Sequence, residues 1–194
     1  MFDLVSLIKG AGYLGLFGIV FAESGLLVGF FLPGDSLLFT AGFLASQGYL
    51  DIRTLALLTF AAAVLGDTVG YTFGNRIGYK IFNKEKSIFF NKAHLERARN
   101  YFETYGAKTI LLARFVPIVR TFAPIMAGVG KMRYRVFLSY NVIGALFWAG
   151  GVTSLGYYLG NAIPNADRFI LPIVGLIIVL SVMPGVIHIF KKSR

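Results

Sequence analysis

The chain contains no cysteine. Disulfides, thiol nucleophiles and cysteine-held metals are therefore excluded. Histidine is almost as scarce: His94 and His188 stand far apart, and neither belongs to a group with metal-ligand spacing. No nucleophile stands beside a base in a recognisable motif. Neither an enzyme, a bound metal nor a cofactor is expected. Charge is also sparse, at 14% of 194 residues, where a soluble domain carries about a quarter. Acid is the scarcer sign, with Asp and Glu at 9 against 19 for Lys and Arg. The N-terminus has no basic run, its first lysine being Lys9, so a signal peptide is not expected.

What fills the chain is apolar: 56% hydrophobic residues and a mean hydropathy of +0.70. This predicts an all-α integral membrane protein of a single domain. The net charge of +10 raises nucleic acid as a partner. The basic residues, however, flank apolar segments, as the positive-inside rule requires, so the partner they imply is the bilayer.

In chain order, Met1–Lys9 reads as a short, weakly amphipathic lead-in. Ala11–Leu50 carries only Glu23 and Asp35 as charges. Pro33, Gly34 and Asp35 form a turn, and Asp35 or Ser36 is suited to cap a helix starting at Leu37. The arm after the turn is too short for the roughly twenty residues of a span. A re-entrant hairpin is therefore favoured over two crossings. Ile52–Asn75 is long enough to span and contains Asp67. A basic stretch over 83–105, with Ile88, Leu95 and Phe102 at heptad spacing, predicts an amphipathic helix on the cytoplasmic surface. Val136–Leu159 predicts a second span. Residues 168–190 predict a last one, kinked by Pro172 and Pro184, with Lys191, Lys192 and Arg194 holding the C-terminus in the cytoplasm.

Arg114 and Arg120 are the only charges between Thr109 and Gly130. An arginine in hydrocarbon costs about 2.5–3.5 kcal/mol on insertion scales, so both need partners or a ligand. Pro117 and Pro124 are expected to break the segment into a second hairpin, because proline removes a backbone donor and clashes with the preceding turn. Broken backbone persists at membrane depth only when buried in protein or lining a wet cavity. Basic residues on both sides (Lys131, Arg133 and Arg135 after it) fit a hairpin entering and leaving from the cytoplasm.

Gly70-Tyr71-Thr72-Phe73-Gly74-Asn75-Arg76-Ile77 recurs as Gly156-Tyr157-Tyr158-Leu159-Gly160-Asn161-Ala162-Ile163. The chain thus divides into repeats over 11–76 and 107–160, each a broken hairpin followed by a long helix. Charge bias gives them opposite orientation, the arrangement of many transporters. Chance recurrence of glycine and tyrosine is the competing account. The first repeat supplies the acids Glu23, Asp35 and Asp67, and the second supplies Arg114 and Arg120. Mutual neutralisation is the plain reading of such a network. The functional reading is a phosphate site: the guanidinium fork matches phosphate oxygens, and carboxyl groups in a low-dielectric site are suited to proton exchange. Asp67 is equally suited to a structural hydrogen bond. Tyr71 and Tyr157 read as interfacial residues, Trp148 as packing, and Gly150-Gly151 as a surface for internal packing or a homodimer.

The segments Phe21-Ala22-Glu23-Ser24-Gly25, Phe31-Leu32-Pro33-Gly34-Asp35, Gly66-Asp67 with Gly70-Tyr71, Ala113-Arg114-Phe115, Val119-Arg120-Thr121 and Ala127-Gly128 resemble the DedA family, also called the SNARE-associated or VTT-domain family. The resemblance runs from about Gly12 to Leu159. It implies a multi-pass protein of the bacterial cytoplasmic membrane that moves lipid. Some members recycle undecaprenyl phosphate, and others are linked to phosphatidylethanolamine distribution, the proton-motive force and resistance to cationic peptides. The family's essential acids fall on Glu23 and Asp35, and its essential arginines on Arg114 and Arg120. The lead-in is shorter than in some members, which leaves the side of the N-terminus open. The resulting expectation is a proton-coupled flippase returning a polyprenyl phosphate to the inner leaflet. A phospholipid transporter, a proton-coupled cation or drug antiporter, a membrane phosphatase and a purely structural protein are the alternatives.

Overall fold

The computed structural model describes residues 4–26, 34–81, 104–106 and 108–162. The turn around Pro33, nearly all of the amphipathic helix expected over 83–105, and the C-terminal span over 168–190 lie outside them. Every regular element among the described residues is helical. The helices are α1 (Leu4–Gly25), α2 (Gly34–Ser46), α3 (Ile52–Ile81), α4 (Lys108–Ala113), α5 (Pro117–Val129), α6 (Tyr134–Ala145) and α7 (Gly151–Ala162). A π-helical turn over Leu146–Gly150 joins α6 to α7.

Two stretches are long and apolar enough to cross a bilayer: Ile52–Ile77, with 26 residues, and Tyr134–Ala162, with 29. These are the expected spans, extended at both ends of the second. The lead-in is helical from Leu4 and is set off from the rest of α1 by a kink at Gly12, whose φ of 56° favours glycine. The arm after the first turn is short as expected, but α2 starts at Gly34 rather than Leu37. Neither Asp35 nor Ser36 caps it. Asp35 has a partner elsewhere, and buried Ser36 Oγ has no hydrogen-bond partner among the described residues.

The arginine segment breaks once. Arg114–Val116 forms the turn, and Pro117 begins α5, where a missing N–H costs nothing. Pro124 lies inside α5, buried, and does not break it. One lost backbone hydrogen bond is outweighed there by the packing of α5 along α3.

The main contacts cross between the two halves. α2 packs on α7, α5 packs on α3, and α1 also packs on α3. At the α1–α3 crossing the backbones nearly touch: a Cβ on Gly66 would lie 2.6 Å from the Phe21 carbonyl oxygen. This brings Glu23 of α1 and Asp67 of α3 to one level. One core gathers Leu16, Val20, Leu37, Leu44, Leu55 and Trp148, and a second gathers Tyr71, Ile110, Ala127 and Phe137. Tyr71 is thus buried and not interfacial. Its ring stacks on Phe137 at 4.5 Å and its hydroxyl donates to the Met132 carbonyl. Among the described residues a Cβ on Gly151 would meet nothing within 4 Å, so Gly151 serves no close packing against them.

Candidate functional site

The charged residues singled out in the sequence converge between α1, α2, α3, α5 and the turn before α5. Arg120 sits in the first turn of α5. Its Nη1 donates to Asp35 Oδ1 at 2.8 Å, and its Nη2 pairs with Glu23 Oε1. Arg114, on the turn after α4, donates through Nη2 to Asp67 Oδ2 and to Asn141 Oδ1. Glu23 is 1% exposed, Arg114 4% and Asp67 5%, so the Arg114–Asp67 pair is sealed from solvent, while Arg120 lies between buried Glu23 and Asp35, whose side chain is 32% exposed. Removing one partner from such a pair costs about 3–5 kcal/mol, because the other is left charged and buried.

Helix geometry sets the sign of the site. Asp35 lies in the first turn of α2, where an acid suits the positive end of the helix dipole. Arg120 lies in the first turn of α5, where a cation does not. A guanidinium at a helix N-terminus adds to the positive end of the helix dipole and calls for acidic partners. Three carboxylates then answer two guanidiniums, leaving one acid in excess. Among the described residues, Glu23 Oε2 is buried with no hydrogen-bond partner. It lies against Gly34, where a Cβ would sit 1.3 Å away. Only glycine admits that carboxylate.

Two residues that sequence reasoning set aside or passed over complete the site. Trp148, read as packing, donates from Nε1 to Asp35 Oδ1 at 2.6 Å. Its ring faces Arg120 Cζ at 4.6 Å and Arg114 Cζ at 5.8 Å. Asn141, not singled out at all, bridges Arg114 to α3 by donating to the Val64 carbonyl at 3.1 Å. A polar side chain seven residues before the tryptophan, on the same helical face, was the available signal. Ser24, Asp67, Arg114, Arg120, Pro124 and Trp148 line a gap of about 10 Å³, the room of one water molecule. Gly34 and Pro124 also stand at the site, Pro117 heads the helix that carries Arg120, and Pro33 lies outside the described residues. Among the described residues no cluster of acids and histidines suits a metal ion.

Residues 32–158 match the VTT domain. The chain is 49% identical to Protein DedA of Escherichia coli K12 over 184 residues, covering 94% of this chain and 84% of that protein. It is 44% identical over 176 residues to an uncharacterised membrane protein of Mycobacterium leprae, covering 91% of this chain and 78% of that one. The inner membrane protein YghB of E. coli K12 is 40% identical over 157 residues, or 80% of this chain and 71% of YghB. No solved structure matches the chain. With apolar helices of spanning length, a VTT-domain match and relatives that are membrane proteins over nearly its whole length, the chain belongs to the DedA family of membrane proteins.

Proposed function

We propose that this protein is a transporter, not an enzyme, and that it returns a polyprenyl phosphate such as undecaprenyl phosphate from the outer to the inner leaflet. The observation that carries the reading is the pairing of Arg114 and Arg120 with Glu23, Asp35 and Asp67 between largely apolar helices. In the empty state the carboxylates neutralise the arginines. The arriving phosphate takes over the guanidinium forks. Of the displaced carboxylates, Glu23, whose Oε2 already has no partner among the described residues, takes up a proton, and this couples transport to the proton gradient. The gap between these groups holds no more than about one water, so substrate entry requires the helices to part. The prenyl tail stays in lipid while the headgroup alone crosses the polar path.

The architecture assigned to this cycle is a pair of inverted repeats, each a re-entrant hairpin with a following span. Reciprocal packing supports it. The short α2 of the first unit lies on α7 of the second, and α5 of the second lies on α3 of the first. The repeated glycines act at these contacts: Gly74 closes on Ile125, and Gly160 closes on Ser46. Parting of the two hairpins then exposes the site to alternate faces. The multi-pass chain sits in the bacterial cytoplasmic membrane with its C-terminus inside.

The test is reconstitution in liposomes with a chemically quenchable polyprenyl phosphate. Inward movement that rises with a proton gradient, is lost in Arg114→Ala and Arg120→Ala, and resists competition by phosphatidylethanolamine supports the reading. Movement of phosphatidylethanolamine instead replaces the substrate, since arginines read the phosphate that both lipids carry. If neither lipid moves, a proton-coupled cation antiporter becomes the better account.

A further inference from the structure

The π-helical turn over Leu146–Gly150 interrupts an otherwise continuous helix. Such turns insert one residue and occur often at functional sites. Its effect here is visible in burial. Before the turn, the buried face runs through Phe137, Asn141, Gly144 and Ala145, a stripe that α-helical spacing extends to Trp148 within the turn. After it, the buried face runs through Thr153, Gly156 and Gly160, a stripe that the same spacing extends back to Ala149 within the turn. These two series do not lie on one α-helical stripe, because 148 and 149 are a hundred degrees apart on an α-helix, that is about a quarter turn. The inserted residue lets both face inward. Asn141 of α6 and Trp148 of the π-turn can therefore both face the arginines, while α7 presents its glycines to α2.

The tryptophan so placed does two things at once. Its N–H shares Asp35 Oδ1 with Arg120 Nη1, at 2.6 Å and 2.8 Å. Its ring covers the face of the Arg120 guanidinium at 4.6 Å. A guanidinium binds aromatic rings through its face and oxyanions through its edge, so the two contacts do not compete.

We infer that Trp148 is the positioning residue of the anion site: its indole N–H keeps Asp35 bonded when Arg120 turns to a lipid phosphate, and its ring holds Arg120 in place through the exchange. The inference rests on the phosphate-site reading above. Without the indole N–H, moving Arg120 off Asp35 strands a carboxylate in a site only partly open to solvent. Ligand binding is then penalised even though Trp148 never touches the ligand.

The test measures binding of a radiolabelled short-chain polyprenyl phosphate to the full chain in nanodiscs. Trp148→Phe keeps a ring and removes the N–H. Affinity should fall about tenfold, the effect of one charge-assisted hydrogen bond. In an Asp35→Asn background, which has no carboxylate to strand, the same change should cost less than about twofold. Trp148→Leu removes ring and N–H, and should lose more than Trp148→Phe. Because the chain has one tryptophan, emission from Trp148 should also change saturably with bound lipid. Wild-type affinity in Trp148→Phe, or the same tenfold loss in the Asp35→Asn background, overturns the inference. So does emission that stays constant while labelled lipid binds. Failure of the wild type to bind any labelled lipid is a different result: it overturns the phosphate-site reading itself and this inference with it. If Trp148→Leu does not fold, the phenylalanine variant alone decides.

Discussion

A single methyl group added at Gly34 should disable the site without altering a charge. A Cβ there would sit 1.3 Å from Glu23 Oε2, 2.1 Å from Cδ and 2.5 Å from Oε1. Ordinary contact requires more than 3 Å, so the carboxyl must retreat by about 2 Å. Glu23 is 1% exposed and pairs with Arg120 through its other oxygen. A retreat of that size breaks the pair and leaves both groups charged and buried, at a cost of about 3–5 kcal/mol. Gly151→Ala is the matched control, because a Cβ at Gly151 meets nothing within 4 Å among the described residues. Thermal unfolding of the purified protein in detergent and transport in liposomes should both show Gly34→Ala severely impaired and Gly151→Ala near wild type. The decisive arm is a double-mutant cycle. In a Glu23→Ala background the obstacle is gone, and Gly34→Ala should cost less than about 1 kcal/mol. An equal cost in both backgrounds, or a tolerated Gly34→Ala in the wild type, would refute the claim that Gly34 exists to seat Glu23.

Arg120→Lys should fail almost as badly as Arg120→Ala in transport, since one ammonium cannot serve Glu23 and Asp35 in the fork geometry seen here; near-normal rates would point to a purely electrostatic role. Tyr71→Phe should lower stability by about 1 kcal/mol, read as a lower unfolding temperature, because it deletes the bond to the Met132 carbonyl and keeps the stack on Phe137. Gly156→Ala should destabilise by about 1–3 kcal/mol or more, since its Cβ would lie 2.2 Å from the Phe39 carbonyl oxygen and backbone cannot yield as a side chain does. Asp51 caps α3 by accepting from the backbone N–H and hydroxyl of Thr54, each at 2.8 Å. The backbone bond first, then the side-chain bond, lowers its pKa below the ordinary aspartate value. The stabilisation is therefore complete above about pH 3.9 and is lost as pH falls through the lowered folded value. Asp51→Asn should flatten the acid limb of the unfolding curve in that window and leave neutral-pH transport unchanged.

The ionic part of the site was legible because charge is so sparse. In a segment of apolar residues Arg114 and Arg120 demand partners, and Glu23, Asp35 and Asp67 are the acids that stand within the other apolar stretches. All five do meet, in the pairing of acids from one half with arginines from the other. Local rules failed where tertiary contacts decided. Asp35 looked like a cap because Pro-Gly-Asp precedes a helix, yet Arg120 and Trp148 claim its carboxylate. Pro124 looked like a breaker, yet α5 runs through it because its neighbours pack along α3. Tyr71 and Trp148 looked interfacial or inert, since aromatic residues in membrane helices have many uses and periodicity does not choose between them. The placement of Trp148 was the hardest to see. Its inward position follows from Asn141 by helical spacing, but the π-turn that lets Trp148 and Ala149 both face inward is something no α-helical spacing rule anticipates.

The central claim is that Arg114 and Arg120 form a binding site for a lipid phosphate. It is tested most directly by comparing the affinity of the full chain for a short-chain polyprenyl phosphate with that for the corresponding alcohol. The two ligands share a tail and differ only in the group the arginines would hold. The account predicts a phosphate preference of about a hundredfold or more in the wild type, two charge-assisted contacts at about tenfold each. That preference should fall to near unity in Arg114→Ala/Arg120→Ala. Equal affinity for alcohol and phosphate in the wild type, or a preference that survives loss of both arginines, would contradict it.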